Sequence, residues 1–237
     1  MIDTHCHLLP RLDDGPPDVE SALALARQLV DADVSVVLCT PHFSRRHPTE
    51  TADARERLVQ FRGELFEHGV ELRLRLAAEV SPAFVAAEPT DALVERSIGG
   101  FLLVELEPTT PGSFLETALE RLAHDGLRPV FAHPERCAAV RSQPRLLEEA
   151  RANGALAQVV ASSLTGRFGH EVEAAAWRLL EQGGVDLLGS DAHRALPEGS
   201  HLERAVPLVS ERFGDDALRE LTERGPARVL DEAPRPA

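Results

Sequence analysis

Short, almost wholly apolar runs recur seven times along this chain, and longer stretches with helical periodicity separate them. The runs are Met1–Thr4, Val34–Thr40, Leu72–Ala78, Phe101–Val104, Pro129–Ala132, Leu156–Val160 and Val185–Gly189. Strands buried on both faces of a parallel sheet read as continuous hydrophobic runs rather than as alternation; only Leu72–Ala78 alternates, with arginines. Between the runs, Asp18–Ala32 carries Val19, Ala22, Leu23, Ala26, Leu29 and Val30 on one helical stripe. Thr49–His68 opens on a capping residue and closes at Gly69. Ser113–His124, Gln143–Asn153, Glu171–Gln182, Leu202–Phe213 and Asp215–Arg224 continue the alternation. Such alternation predicts an α/β fold. About seven strands within 237 residues predict one domain, residues 1–237, built as a parallel β/α barrel, with an open doubly wound sheet as the rival. No low-complexity linker or internal repeat divides the chain, and Glu232–Ala237 reads as a frayed tail.

The chemistry lies in what the runs end on. The first leads into His5, Cys6 and His7, and the second ends at Thr40, Pro41 and His42. The third ends at Glu79, the fourth at Glu105, the fifth at His133, and the seventh at Ser190, Asp191, Ala192 and His193. In a parallel barrel the carboxyl ends of the strands form the rim on which active sites are built. His5 and His7 are two residues apart on extended chain and so share a face, as do Asp191 and His193. Zinc, iron and manganese accept this mixture of imidazole and carboxylate. With Asp14 added there are too many ligands for one ion, which points to a cluster of two or three metals with a bridging carboxylate. Any one of these residues alone is as well explained as a solvated strand end or a turn; the set of strand ends is not.

The formal net charge of -14 argues against nonspecific binding to nucleic acid or to an anionic membrane. It also repels anionic substrates, so metals or arginines must supply local positive charge, and acidic phosphopeptides are expected to be disfavoured at low salt. Arg45, Arg46 and His47, in a loop after the second run, are candidates for that charge, with an ordinary solvated loop as the alternative. Three cysteines, Cys6, Cys39 and Cys137, are an odd number without CxxC spacing, which suits a reducing cytoplasm. Asp3 and His5 interrupt any apolar start, so no signal peptide is expected, and no run is long enough for membrane insertion. His68, His124, His170 and His201 fall in helical stretches and read as surface or packing residues.

In order, MIDTHCHLLPRLDDGP, TPHF, AAEV, LVEL, AHPER, SSLTGRFG and GSDAHR resemble the PHP (polymerase and histidinol phosphatase) superfamily. HCH followed by LDDGP, with HPER and SDAH, more closely resembles its bacterial protein-tyrosine phosphatase branch, linked to capsule and exopolysaccharide operons. The resemblance spans nearly the whole chain. It implies a distorted seven-stranded barrel with a trinuclear site, often manganese-dependent, with iron or zinc as further candidates. It groups His5, His7, Glu79 and Asp191 around one metal; Glu79, Glu105 and His133 around a second; and Asp14, His42 and His193 around a third. Arg136 of HPER would grip a phosphate oxygen, with Asp14 and His193 beside it in the catalytic set. The implied partner is a phosphotyrosine protein, a bacterial tyrosine kinase with a Tyr-rich tail; this chain contains no tyrosine. Oligomerisation is left open. Three positions depart from the pattern: Val160 where Asn is usual, Gly225 before Pro226 where Asn-Pro is usual, and Arg11 where smaller residues are common.

The expected reaction is direct attack of metal-activated water on phosphorus, with Arg136 and the metals stabilising the phosphoryl oxygens. Two other readings are a phosphatase of the same superfamily acting on histidinol phosphate or a nucleotide-like metabolite, and a non-enzymatic regulatory or metal-storage module. An activity panel after Mn²⁺ reconstitution separates them.

Overall fold

The computed structural model describes residues 1–231, so the expected tail Glu232–Ala237 lies outside the described residues. It is a single α/β domain with parallel strands. The strands are β1 (Ile2–Cys6), β2 (Val36–Cys39), β3 (His42–Phe43), β4 (Arg73–Leu76), β5 (Glu79–Val80), β6 (Phe101–Glu105), β7 (Arg128–Ala132), β8 (Leu156–Val160) and β9 (Leu187–Gly189). They form a three-stranded sheet in the order β1-β2-β4 and a six-stranded sheet in the order β3-β5-β6-β7-β8-β9.

Among the described residues nine strands stand where seven apolar runs predict seven, and no ladder closes them into a ring. The difference has a local cause. Pro41, without an N–H, separates β2 from β3. Between β4 and β5, the Ala78 N–H turns away from the ladder to the Arg96 carbonyl at 3.0 Å, while Ala77 and Glu79 still donate to Cys39 and Pro41. Two long strands are thereby split, and their carboxyl halves join the second sheet. The sheets meet at β1, where Cys6 bridges Ala192 in parallel and Asp191 N–H donates to the His5 carbonyl at 2.8 Å.

Alternation along each strand sorts two environments. Leu102, Val104, Phe131, Ala157 and Val159 join the main core beneath the helices Val19–Asp31, Thr51–Glu67, Ser113–His124 and His170–Glu181. Burying each Leu or Phe fully contributes roughly 1.5–3 kcal/mol. The opposite faces present Phe101, Leu103, Val130, Ala132 and Leu187 to a second cluster, capped by Val229 of the helix Gly225–Asp231. Glu105 continues the parity of Phe101 and Leu103, so it points into the same interior, at the carboxyl end of its strand. Gly225 is required where it stands: a Cβ there would lie 2.6 Å from the Asp186 carbonyl oxygen.

Candidate metal centre and its cavity

Nine side chains from six strand ends or the loops beyond them converge at the carboxyl edge. His5, His7, Glu79 and Asp191 each offer an atom to one group, Glu79, Glu105 and His133 to a second, and His7, Asp14, His42 and His193 to a third, with all atoms of a group within 4.8 Å of one another. In the first group the contacts among His5 Nε2, His7 Nε2, Glu79 Oε2 and Asp191 Oδ1 run from 3.3 to 3.6 Å. Ligand atoms about 2.1 Å from one ion in tetrahedral directions are separated by about 3.4 Å. His133 Nε2 lies 2.9 Å from Glu79 Oε1. His42 Nε2 and His193 Nε2 lie 3.5 and 3.3 Å from Asp14 Oδ1.

Supporting hydrogen bonds decide which nitrogen of three of the rings faces inward. His5 Nδ1 donates to Gln158 Oε1 at 2.8 Å, and Gln158 in turn donates to Thr4. His7 Nδ1 donates to Asp13 Oδ2 at 2.8 Å, and His193 Nδ1 to the Asp191 carbonyl at 3.0 Å. With Nδ1 engaged as donor, the neutral ring turns a bare Nε2 lone pair toward the cluster, the tautomer a metal needs. Asp13 also accepts from the backbone N–H groups of His42 and Gly15. A Cβ on Gly15 would come within 2.4 Å of the His7 carbonyl oxygen, so the loop closes on a glycine. His133 and Asp191 hold positive φ, 37° and 51°, an uncommon backbone for non-glycine residues and a form of strain that gathers at functional sites.

Glu79 Oε2 is buried and accepts no hydrogen bond, although ring nitrogens of His5, His7 and His42 crowd to within 3.1–3.3 Å of it. Lone pairs converge on one another there with no proton between them. Charges respond accordingly. Burial alone would lower His5, but Glu79 and Asp191 outweigh it and hold its pKa above the ordinary value. Burial would raise Glu79, yet His5 and His133 keep it well below the carboxylate range. Glu105 is pushed up to about 8 by burial, then by Glu79 and Glu107. Burial takes His42 down to about 4, with Glu79 opposing. A divalent cation relieves all these conflicts at once, and the oxygen and nitrogen donors, without thiolate, suit manganese, iron or zinc. The residues present therefore fit a metal cluster.

A cavity of about 440 Å³ opens beside Asp14, Asp191 and His193. Arg136 lines it, donating to Asp191 Oδ2 at 2.6 Å, with its guanidinium 3.9 Å from the Phe168 ring centroid. The Arg136 Nε atom is buried and has no partner. Arg45 and Arg46 are exposed and are not among the residues lining this cavity; their neighbour His47 stacks on His42 at 5.4 Å. Asp13, Gln158, Arg167 and Phe168 were not singled out from sequence. His201, expected at the surface or in packing, lines the cavity. Cys6, Cys39 and Cys137 are buried free thiols. Burial raises the pKa of Cys6 and Cys39, which removes them as nucleophiles.

The capsular polysaccharide synthesis CpsB/CapC family matches residues 1–231. Tyrosine-protein phosphatase YwqE of Bacillus subtilis (strain 168) is 30% identical over 229 residues, 94% of this chain and 89% of that one. Tyrosine-protein phosphatase CpsB of Streptococcus pneumoniae is 24% identical, over 97% of this chain and 98% of that one. A crystal structure from work on YwqE and CpsB as metal-dependent tyrosine phosphatases has a TM-score of 0.85 at 27% identity, covering 100% of this chain and 99% of that one. A dihydropyrimidinase from Brevibacillus agri NCHU1002, with a TM-score of 0.63 at 12% identity over 98% of this chain and 71% of that one, shares the fold alone.

Proposed function

The chain belongs to the capsular polysaccharide synthesis CpsB/CapC family, which it matches over residues 1–231, and from that membership we propose that it is a metal-dependent phosphatase that hydrolyses phosphotyrosine in proteins. The observation that carries the reading is Arg136: one arm is fixed on Asp191, and its Nε–H is buried without an acceptor beside three converging sets of donors. A phosphate oxygen is the acceptor such a group lacks.

In this reading residues 1–237 are one PHP-type metallophosphoesterase domain, and the two sheets are parts of a distorted seven-stranded barrel. In support, Thr4, Leu38, Leu103, Val130, Gln158 and Leu187, one from each of six strands, line one small interior void. His5, His7, Glu79 and Asp191, then Glu79, Glu105 and His133, then Asp14, His42 and His193 would hold two or three divalent ions, Mn²⁺ first, with Fe or Zn as alternatives. When bound, the metals supply Lewis acidity, which offsets phosphoryl charge and makes water a competent nucleophile at neutral pH. Arg136 binds and orients the phosphate through Nε–H, and its stack on Phe168 keeps the guanidinium in plane. Asp14 and His193, with side chains 43% and 26% exposed, line the cavity where solvent reaches it, and would position the water that gives its proton to the departing phenolate. Arg45 and Arg46 would serve as outer positive charge for an approaching phosphoprotein. The physiological partner would be the tyrosine-rich tail of a bacterial kinase of capsule or exopolysaccharide synthesis, met in the cytoplasm. No nucleic acid enters this function, and self-association is compatible with it. No helix among the described residues is long and apolar enough to cross a membrane.

The test is kcat/KM for phosphotyrosine peptides against histidinol phosphate and mononucleotides under one metal condition, before and after chelation. Phosphotyrosine turnover that disappears on chelation and returns with Mn²⁺ is expected. Preference for a small metabolite by orders of magnitude would remove the tyrosine assignment and leave metal-dependent hydrolysis standing.

A further inference from the structure

The cavity beside the ligand cluster is lined by Arg136 and Phe168 and also by Ser162, Arg167, Arg194 and His201. Carboxylates lining it, Asp14 and Asp191, sit at the cluster end. Some arginines elsewhere are matched with acids, as Arg151 is with Asp186 and Arg224 with Asp216 and Glu220, while others, such as Arg45 and Arg46, are exposed. Arg167 and Arg194 have no carboxylate partner among the described residues. Two arginines without a carboxylate thus share one cavity, in a chain with 39 acidic against 25 basic residues.

Two further groups there lack partners. Ser162 is 4% exposed, and its Oγ has no hydrogen bond. His201 Nδ1 lies 2.7 Å from Thr165 Oγ1, whose hydroxyl also reaches the Ala161 and Ser162 carbonyls at 3.2 Å. The Thr165 proton therefore goes to a carbonyl, Nδ1–H donates to Thr165, and His201 Nε2 is left buried and unpartnered. His201 also opens the 13-residue helix His201–Phe213, whose amino end adds positive potential. Glu198 acts on His201 but does not line the cavity. Burial, then Arg167 and Arg204, lower the His201 pKa; an anion seated among them would offset the arginines and let Nε2 carry a proton.

We propose that this end of the cavity is a second anion subsite, which holds a carboxylate or phosphate carried by the substrate next to the phosphotyrosine being hydrolysed. Two guanidinium groups and a buried hydroxyl are donors without an acceptor among the described residues, and His201 Nε2 joins them as a donor once an anion lets it carry a proton. Phe168, 41% exposed, has Arg136 at 3.9 Å and Arg167 at 5.8 Å from its ring centroid, so the scissile and flanking anions are read by different arginines. The arrangement reverses locally what the net charge imposes on average: acidic residues beside the phosphotyrosine assist binding instead of opposing it.

The inference rests on the phosphatase reading, and the experiment separates the two. Matched phosphotyrosine peptides, neutral or carrying Glu at flanking positions, are compared at low salt with the metal-loaded enzyme. A preference of about tenfold in kcat/KM for the acidic peptide, expressed in KM, is expected. The ratio should fall to about one in the Arg167→Ala, Arg194→Ala double variant and shrink in His201→Ala. A wild-type preference for the neutral peptide, or a ratio unchanged in the double variant, overturns the subsite while leaving the phosphatase reading intact. Calorimetric affinities for non-hydrolysable phosphonate forms of both peptides give the same ratio without turnover. An affinity preference that depends on Arg167 and Arg194 in the absence of any hydrolysis would sustain the subsite and sink the phosphatase reading.

Discussion

The two ends of one cavity are built on opposite terms. At the cluster end three of the imidazoles are each held by a second group: His5 by Gln158, His7 by Asp13, His193 by the Asp191 backbone. At the other end Arg167 and Arg194 are exposed and unpaired, and only His201 is anchored, through Thr165. Fixed geometry suits the end where reacting atoms must be placed to a fraction of an ångström, because supporting hydrogen bonds preorganise ligands and set their tautomers. Long side chains without fixed partners suit the end that must accept varied neighbours of one reacting group. The difference assigns rate and metal affinity to one end and discrimination among substrates to the other.

The largest effect expected is at the cluster. His5→Ala or Asp191→Ala should lose metal content and turnover together, on the order of 1000-fold in rate or about 4 kcal/mol. Elemental analysis beside kcat checks this, and full activity in verified metal-free protein would break the division of roles outright. Arg136→Ala comes next. It should keep its metals while kcat/KM for phosphotyrosine falls about 100-fold, as when one transition-state hydrogen-bond donor is removed. Metal loss in that variant would move Arg136 to a structural role through Asp191.

Smaller effects sharpen the contrast. Asp13→Asn or Gln158→Ala should weaken metal affinity roughly 10–100-fold, with activity recovered at saturating metal, because the ligands remain but are no longer oriented. Unrecovered activity would make these residues part of the chemistry itself. The fourth expectation concerns pH. Glu105 has its folded pKa raised to about 8 from an ordinary 4.5. Its contribution to stability is therefore fully present below about 4.5 and is lost as pH rises toward 8. Chelated protein should lose stability across that window relative to chelated Glu105→Gln, as read from paired Tm profiles, and metal binding near pH 7 should release protons. Parallel profiles for the two proteins would show that Glu105 is not held protonated.

These two ends also differed in how far the sequence could be read. The strands were legible because residues buried on both faces leave continuous apolar runs, and the cluster because those runs stop on His, Asp or Glu. The elements that escaped, β3, β5 and the helices Pro82–Ala87 and Thr90–Val94, are six residues or shorter, too few to show a period. Gln158 did leave a signal, a lone amide inside an apolar strand, which must find a partner when buried. Asp13 could not be separated from Asp14, because which of the two turns inward depends on the loop that Gly15 closes. Arg167, Phe168 and His201 come from the turn after the short helix Ala161–Leu164 and the start of the helix His201–Phe213, brought together by tertiary packing that periodicity does not encode. Arg45 and Arg46, adjacent arginines after a strand, are exposed, while their neighbour His47 stacks on His42.

Cys6 meets Ala192 across 186 residues of chain, and that separation sets the order in which the protein becomes functional during synthesis. At roughly 5–20 residues per second, His5 and His7 leave the ribosome on the order of 10–40 s before Asp191 and His193 do. Strands β1, β2 and β4 can pair with their helices in that interval, while the paired imidazoles wait for the carboxylate that completes their group. Closing a loop of this length is entropically costly and slow, so it falls late in folding. A nascent chain stalled before Ser190 would therefore hold most of its core yet hydrolyse nothing, and activity would arrive in one step as the last strand docks against the first.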